Sequence, residues 1–162
     1  MNKAFVKESG NDDTVVPLPE MPAGVRNYIT PAGYRRLQLE WQQLHDERDA
    51  DGGPAQAERE QRMHYLQSRL DTAEVVDPGI HEDGGRIFFG AHVRYEDEAG
   101  QAHEVHIVGL DEIDPAHGRV SWLSPVAQAL LGSEEGDSVT LVGPGGEEEL
   151  TVLRVQYPRQ DG

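Results

Sequence analysis

The sequence predicts an α+β protein: an antiparallel helical hairpin followed by a small antiparallel sheet that carries one short helix. Three observations predict it. Apolar residues recur at spacings of three and four between residues 34 and 73, then alternate with polar ones from residue 86 onward. A Gly-Gly-Pro break divides the first pattern into two stretches of similar length. The second pattern is cut by short Gly- and Pro-containing turns, as in a meander of strands.

Composition narrows the classes. The chain of 162 residues holds 14 Lys and Arg against 30 Asp and Glu, for a formal net charge of −16, and it has no Cys. That charge argues against a protein that holds duplex DNA by neutralising phosphates, which takes a basic face. Disulfide scaffolds and thiolate metal sites are excluded. No run approaches the roughly 18 uninterrupted apolar residues of a membrane span, and no apolar signal core opens the chain, so a cytoplasmic protein without a membrane partner is expected.

Residues 1–29 mix Pro, Gly, Asn and Asp without a helical or strand period and read as a flexible N-terminal tail. Order begins at Thr30-Pro31, a helix start in which Thr accepts from a first-turn amide and Pro occupies a position that needs no donor. Tyr34, Leu37, Trp41 and Leu44 then form one seam, and Met63, Leu66, Leu70 and Ala73 form the second after Pro54 restarts the helix. Glu58 stands four residues before Arg62 as a supporting pair. Residues 30–77 are therefore a helical hairpin with arms roughly 25–30 Å long at 1.5 Å per residue.

Residues 78–162 form the second unit. Strands are expected at 86–96, 103–110, 120–123, 138–143 and 148–157. Ser124-Pro125 repeats the cap-and-proline start for one short helix, which Gly132 stops. This half holds five Arg, no Lys and sixteen acidic residues, so it carries −11 of the −16.

Seven His do not form a metal pattern: His103 and His106 fall on opposite faces of one strand, and the others are scattered. Gly143-Pro144-Gly145-Gly146 has neither a following helix nor a Lys-Ser/Thr pair, so it is a strand turn and not a phosphate loop. The greatest chemical potential lies at the hairpin tip, where Asp46, Glu47, Asp49 and Asp51 gather. Such carboxylates suit a hard cation like Mg²⁺ but alone are too few and too mobile to hold one. They either complete a site belonging to a partner or form a solvated loop whose charges keep the hairpin from aggregating.

These features bring the residues into a familiar order. Ile29-Thr30-Pro31-Ala32-Gly33-Tyr34, Phe88-Phe89-Gly90-Ala91-His92-Val93, Ile107-Val108-Gly109-Leu110-Asp111-Glu112 and Ser124 to Gly132 together resemble the bacterial Gre transcript-cleavage factors across about residues 29–158. The opening Met1-Asn2-Lys3-Ala4-Phe5-Val6-Lys7-Glu8 is similar to GreB-type members, here with a shortened coiled coil. The resemblance implies an FKBP-like C-terminal domain that docks on bacterial RNA polymerase through Ser124, Pro125, Val126 and Ala127. It implies a coiled coil entering the polymerase secondary channel. It also implies that Asp46, Glu47, Asp49 and Asp51 approach a Mg²⁺ shared with polymerase, with only indirect contact to transcript RNA and DNA. No catalytic residue or cofactor of its own follows, so the chain would not be an enzyme. The family's D-x-x-E-N tip pattern is not reproduced, so stimulation of cleavage is not carried over with the rest. The competing reading is an FKBP-like interaction module with a vestigial hairpin and a different partner.

Overall fold

The protein, described by a computed structural model, is defined over residues 24–47, 54–78 and 85–157. The first strand, β1 (Asn27–Ile29), runs directly into helix α1 (Pro31–Glu47); α2 (Pro54–Thr72) returns and is followed by β2 (Ala73–Val75). Thr30 caps α1 as expected, its Oγ1 accepting from the Gly33 amide at 3.0 Å. The predicted seam closes: Leu37 and Leu66 are buried with Ile29 and Tyr65, and Tyr34, Trp41, Leu44, Leu70 and Ala73 surround them. Across the two helices Arg62 donates to both Glu40 carboxylate oxygens, at 2.7 and 3.0 Å, in place of the expected pairing with Glu58. The Gly-Gly turn, Asp49 and Asp51 lie outside the described residues, as do residues 1–23 of the expected tail.

One correction concerns residues 27–29, expected as tail. They pair in parallel with β2, Asn27 opposite Ala73 and Ile29 opposite Val75. Asn27 Nδ2 donates to the Arg69 carbonyl at 2.9 Å and to Thr72 Oγ1 at 3.1 Å. A strand of three residues has too short a period to register in the sequence, and its partner lies beyond the whole hairpin.

The second unit is a five-stranded sheet of β3 (His92–Glu96), β4 (Ala102–Val108), β5 (Arg119–Ser121), β6 (Ser138–Gly143) and β7 (Gly146–Gln156), in the order β5-β4-β3-β7-β6. Helix α3 (Pro125–Leu130) presses Ala127 and Leu130 into a core with Ile87, Ala91, Val93, Ile107, Val152, Val155 and Tyr157. Two expectations need amending. The sheet is mixed, because β5 lies parallel to β4; 3₁₀ turns at Leu110–Glu112 and Pro115–His117 carry the chain back before it re-enters. Residues 86–91 are not strand: Arg86 makes one isolated bridge to Glu134, and Phe89-Gly90 turn ahead of β3.

The outward sheet face is polar. His92 of β3 stands opposite His106 of β4, ring centroids 3.7 Å apart. Burial, with the other imidazole and the Arg119 charge adding to it, drives the His106 pKa down to about 3, and burial lowers His92 in the same direction.

Two carboxylates join the two units. Glu112, its side chain only 3% exposed, accepts from the Thr30 amide (3.0 Å), the Gly109 amide (2.9 Å) and the Thr30 hydroxyl. Its neighbour Asp111 accepts from Arg69 Nε at 2.6 Å and from the Tyr65 hydroxyl, with the Arg69 and Asp111 side chains 8% and 6% exposed. Burial, followed by the bond to Asp111, raises the Tyr65 pKa. One short turn thus grips the start of α1 with one acid and the face of α2 with the other. Gly33 is required by this closeness, since a Cβ there would lie 2.3 Å from Glu112 Oε1.

Two outcomes follow. Gly33→Ala, although it improves intrinsic helix propensity by up to ~1 kcal/mol, should lower unfolding stability by about 2–4 kcal/mol because it expels Glu112. Glu112→Gln, which leaves amides facing an NH₂ group, should lose about 1–3 kcal/mol; a urea midpoint unchanged in both variants would contradict the clasp. Acid provides the other test. Between the ordinary imidazole value and about 3, the unfolded chain protonates His106 while the folded chain does not. Stability contributed by neutral His106 is therefore present above pH ~6.5 and falls as the pH drops through 6 to 4. His106→Gln should flatten that part of the stability–pH curve.

Candidate functional site

The resemblance to the Gre factors implies a partner surface at Ser124, Pro125, Val126 and Ala127, and the structure shows how that corner is built. β5 ends at Ser121, whose Oγ accepts from the Leu123 amide at 3.0 Å and turns the chain outward. Ser124 is the N-cap of α3, its Oγ accepting from the Ala127 amide at 3.3 Å, and Pro125 occupies the first helical position. Gln128 Nε2 closes the turn by donating to the Trp122 carbonyl at 2.7 Å.

The four predicted residues do not share one role. Pro125 is exposed, while Ser124 and Val126 are half-buried. Ala127 is fully buried in the sheet core, so its place among the partner-contacting residues is corrected: it faces inward because α3 turns its 3.6-residue stripe onto the sheet. The solvent-accessible part of the corner therefore runs from Leu123 to Val126.

Sequence reasoning misses what lies beneath this corner. The Trp122 ring sits 5.0 Å from Tyr28, which in turn lies 5.7 Å from Phe89, so aromatic rings link the corner to the hairpin base. Trp122 Nε1 is buried with no hydrogen-bond partner among the described residues. The corner and the hairpin are thus parts of one surface, oriented by the Asp111–Glu112 turn. Tyr28 falls in the expected tail and gives no periodic signal, and Asp111 and Glu112 look in the sequence like two more surface acids.

At the far end, Asp46 and Glu47 are exposed on the last turn of α1, accepting from Gln42 at 2.9 Å and Gln43 at 3.4 Å. Adjacent helical residues project about 100° apart, so these two do not chelate one ion by themselves. Their charges also stand where α1's own carbonyls point, at the negative end of the helix dipole, an arrangement that favours a cation arriving from outside. The structure does not describe Asp49 and Asp51, so the four acids are not brought together within the described residues.

Comparison with known proteins follows the same lines. Residues 82–157 match the family described as "Transcription elongation factor, GreA/GreB, C-term". Transcription elongation factor GreB of Neisseria meningitidis serogroup B is 36% identical over 163 residues, covering 87% of this chain and 100% of that protein. This chain is therefore the shorter of the two inside the match. Transcription elongation factor GreA of Ralstonia nicotianae is 44% identical over 99 residues, covering 60% of this chain and 63% of that protein. Among solved structures, GreA factor homolog 1 (Gfh1) of Thermus thermophilus matches at 24% identity with a TM-score of 0.40, over 82% of this chain and 99% of that one. With a relative matched along its entire length, and the C-terminal half matched separately, this chain belongs to the Gre family of transcription elongation factors and is GreB-like.

Proposed function

We propose that the protein binds bacterial RNA polymerase and acts on elongation from the secondary channel. The C-terminal domain grips the enzyme through Leu123 to Val126, and the hairpin extends into the channel. The observation that carries this reading is the continuity of the docking corner with the hairpin base. The Tyr28–Trp122 contact and the two buried carboxylates fix the hairpin's direction once the corner is seated. At 1.5 Å per residue the 17-residue α1 and the 19-residue α2 extend roughly 26 and 28 Å from that base. The protein supplies shape and charge to its partner. In this reading it is not an enzyme, and any hydrolysis of RNA belongs to polymerase.

The acidic tip supports a second step. Asp46 and Glu47, with Asp49 and Asp51 after them, would offer carboxylate oxygens to a Mg²⁺ held mainly by polymerase. There they would help to position water for cleavage of backtracked RNA. The placement of Asp46 and Glu47 at the helix C-terminus favours this role, since a cation relieves charge that the helix itself opposes. The chain then needs no metal of its own.

Backtracked elongation complexes test both steps when binding and RNA cleavage are scored separately. Pro125→Ala, at an exposed position, should weaken polymerase binding tenfold or more while leaving thermal unfolding unchanged. Ser124→Ala should do the same with an added loss of about 1 kcal/mol in stability from the missing cap. Unchanged affinity in both variants would remove the docking site. Asp49→Ala with Asp51→Ala should preserve binding and abolish stimulated cleavage. If the native chain binds without stimulating cleavage, the tip has no metal role and the hairpin acts by occupancy.

A further inference from the structure

The outward face of the sheet carries a charge pattern opposite to that of the molecule. Three of the five arginines in residues 78–162 line one cavity of about 330 Å³ there: Arg94 of β3, Arg119 of β5 and Arg154 of β7. Strand register sets basic groups against basic groups. Arg94 stands opposite Arg154, His92 opposite His106, and His106 opposite Arg119. Arg94 and Arg154 thereby set like charges directly opposite on neighbouring strands, which destabilises a sheet, while burial keeps the two imidazoles neutral. In a chain whose acids outnumber its Lys and Arg by 30 to 14, abundant acids were available to neutralise this face.

Only part of the charge is met from within. Arg94 pairs with Glu104 at 3.1 Å on the same face, and Arg119 reaches Asp114 at 3.5 Å. Arg154 is exposed and has no hydrogen-bond or ion-pair partner among the described residues. Between the arginines, His106 Nε2 is buried without a partner among those same residues. The cavity is therefore concave and of small-molecule size. It offers planar bidentate donors on two sides, one of them unused, and an unsatisfied ring nitrogen at its floor.

We propose that this outer face is a binding site for a small phosphate-bearing anion of the pyrophosphate or nucleoside diphosphate class. One phosphoryl group sits between Arg94 and Arg154, and the other lies toward Arg119. The span fits two linked charges better than one, because β5 and β7 stand three strand spacings apart, roughly 14 Å before the arginine side chains reach inward. His92 and His106 form the floor, and an anion above them favours a proton on the unpartnered nitrogen. Glu104 limits the site by repelling any anion that does not engage both flanking arginines. This site is separate from the polymerase-docking corner and does not depend on it.

Titration of the full chain with pyrophosphate, with ADP and with a 5′-phosphorylated RNA oligonucleotide tests the proposal. Pyrophosphate and ADP should bind saturably, move the ring ¹⁵N resonances of His106 and His92, and raise the thermal midpoint. Arg154→Ala, an exposed change that also removes the Arg94 repulsion, should fold with an undiminished midpoint and bind each at least tenfold more weakly. Arg86→Ala, whose side chain pairs with Glu134 elsewhere, should bind as the native chain does. The proposal is overturned by no saturation at 10 mM of either small anion, by binding that Arg154→Ala does not weaken, or by binding of the oligonucleotide alone. Resonance shifts that leave His92 and His106 unmoved place the anion elsewhere and overturn it equally.

Discussion

A buried carboxylate needs several donors to be tolerated, and Glu112 has three, drawn from two different parts of the chain. That requirement fixes most of the surrounding architecture. Thr30 must end β1 and cap α1 at once, because its hydroxyl accepts from Gly33 while donating to Glu112. Gly33 must lack a side chain for the helix to come so near, and Gly109 must lack one because a Cβ there would lie 2.2 Å from the Tyr28 carbonyl. Asp111 extends the arrangement to α2, where Arg69 and Tyr65 would otherwise be a buried cation and a buried hydroxyl in want of partners. Breaking one side of such a pair is costly because the remaining charge stays desolvated. The strength of the joint lies in that penalty more than in the bonds themselves.

This joint gives meaning to the corner at Leu123 to Val126. A surface that only gripped a partner would serve wherever it sat on the domain. Here it lies beside Trp122 and Tyr28, so whatever holds the corner also aims the helices. Aim matters under the proposed function, in which the hairpin extends into the partner while the corner holds it. The distribution of charge agrees. The hairpin is nearly balanced along its length, Asp46 and Glu47 at the end of α1 are exposed, and three arginines of the sheet domain are turned to a separate face.

Much of the fold is legible in the sequence where the signal is periodic and local. Leu37, Leu66 and their neighbours announce the hairpin by spacing alone, and Ser124-Pro125 announces α3 by its cap. What escapes is non-local or brief. Three residues at Asn27–Ile29 carry no period, and the parallel placement of β5 depends on two 3₁₀ turns that leave no compositional mark. Of the residues expected to dock, Ser124, Pro125 and Val126 are exposed or half-buried, whereas the burial of Ala127 required knowledge of which helical stripe faces the sheet. The meeting of His92 with His106 is likewise invisible until register is known, because strand spacing separates His103 from His106 but does not say what stands opposite either.

The separation along the chain of the groups that join the two units has a consequence for assembly. Thr30 and Glu112 are 82 residues apart, and Arg69 and Asp111 are 42 apart, whereas the hairpin and the sheet hairpins close through near neighbours. Bringing the distant pair together confines a loop whose entropy amounts to roughly 4 kcal/mol by the logarithmic law, unless the intervening chain is already ordered. The sheet needs a closure of the same kind, since β3 pairs with β7 and sets His92 opposite Gln156. The joint and the β3–β7 pairing are therefore both long-range closures, and ordering either one shortens the free loop that the other must confine.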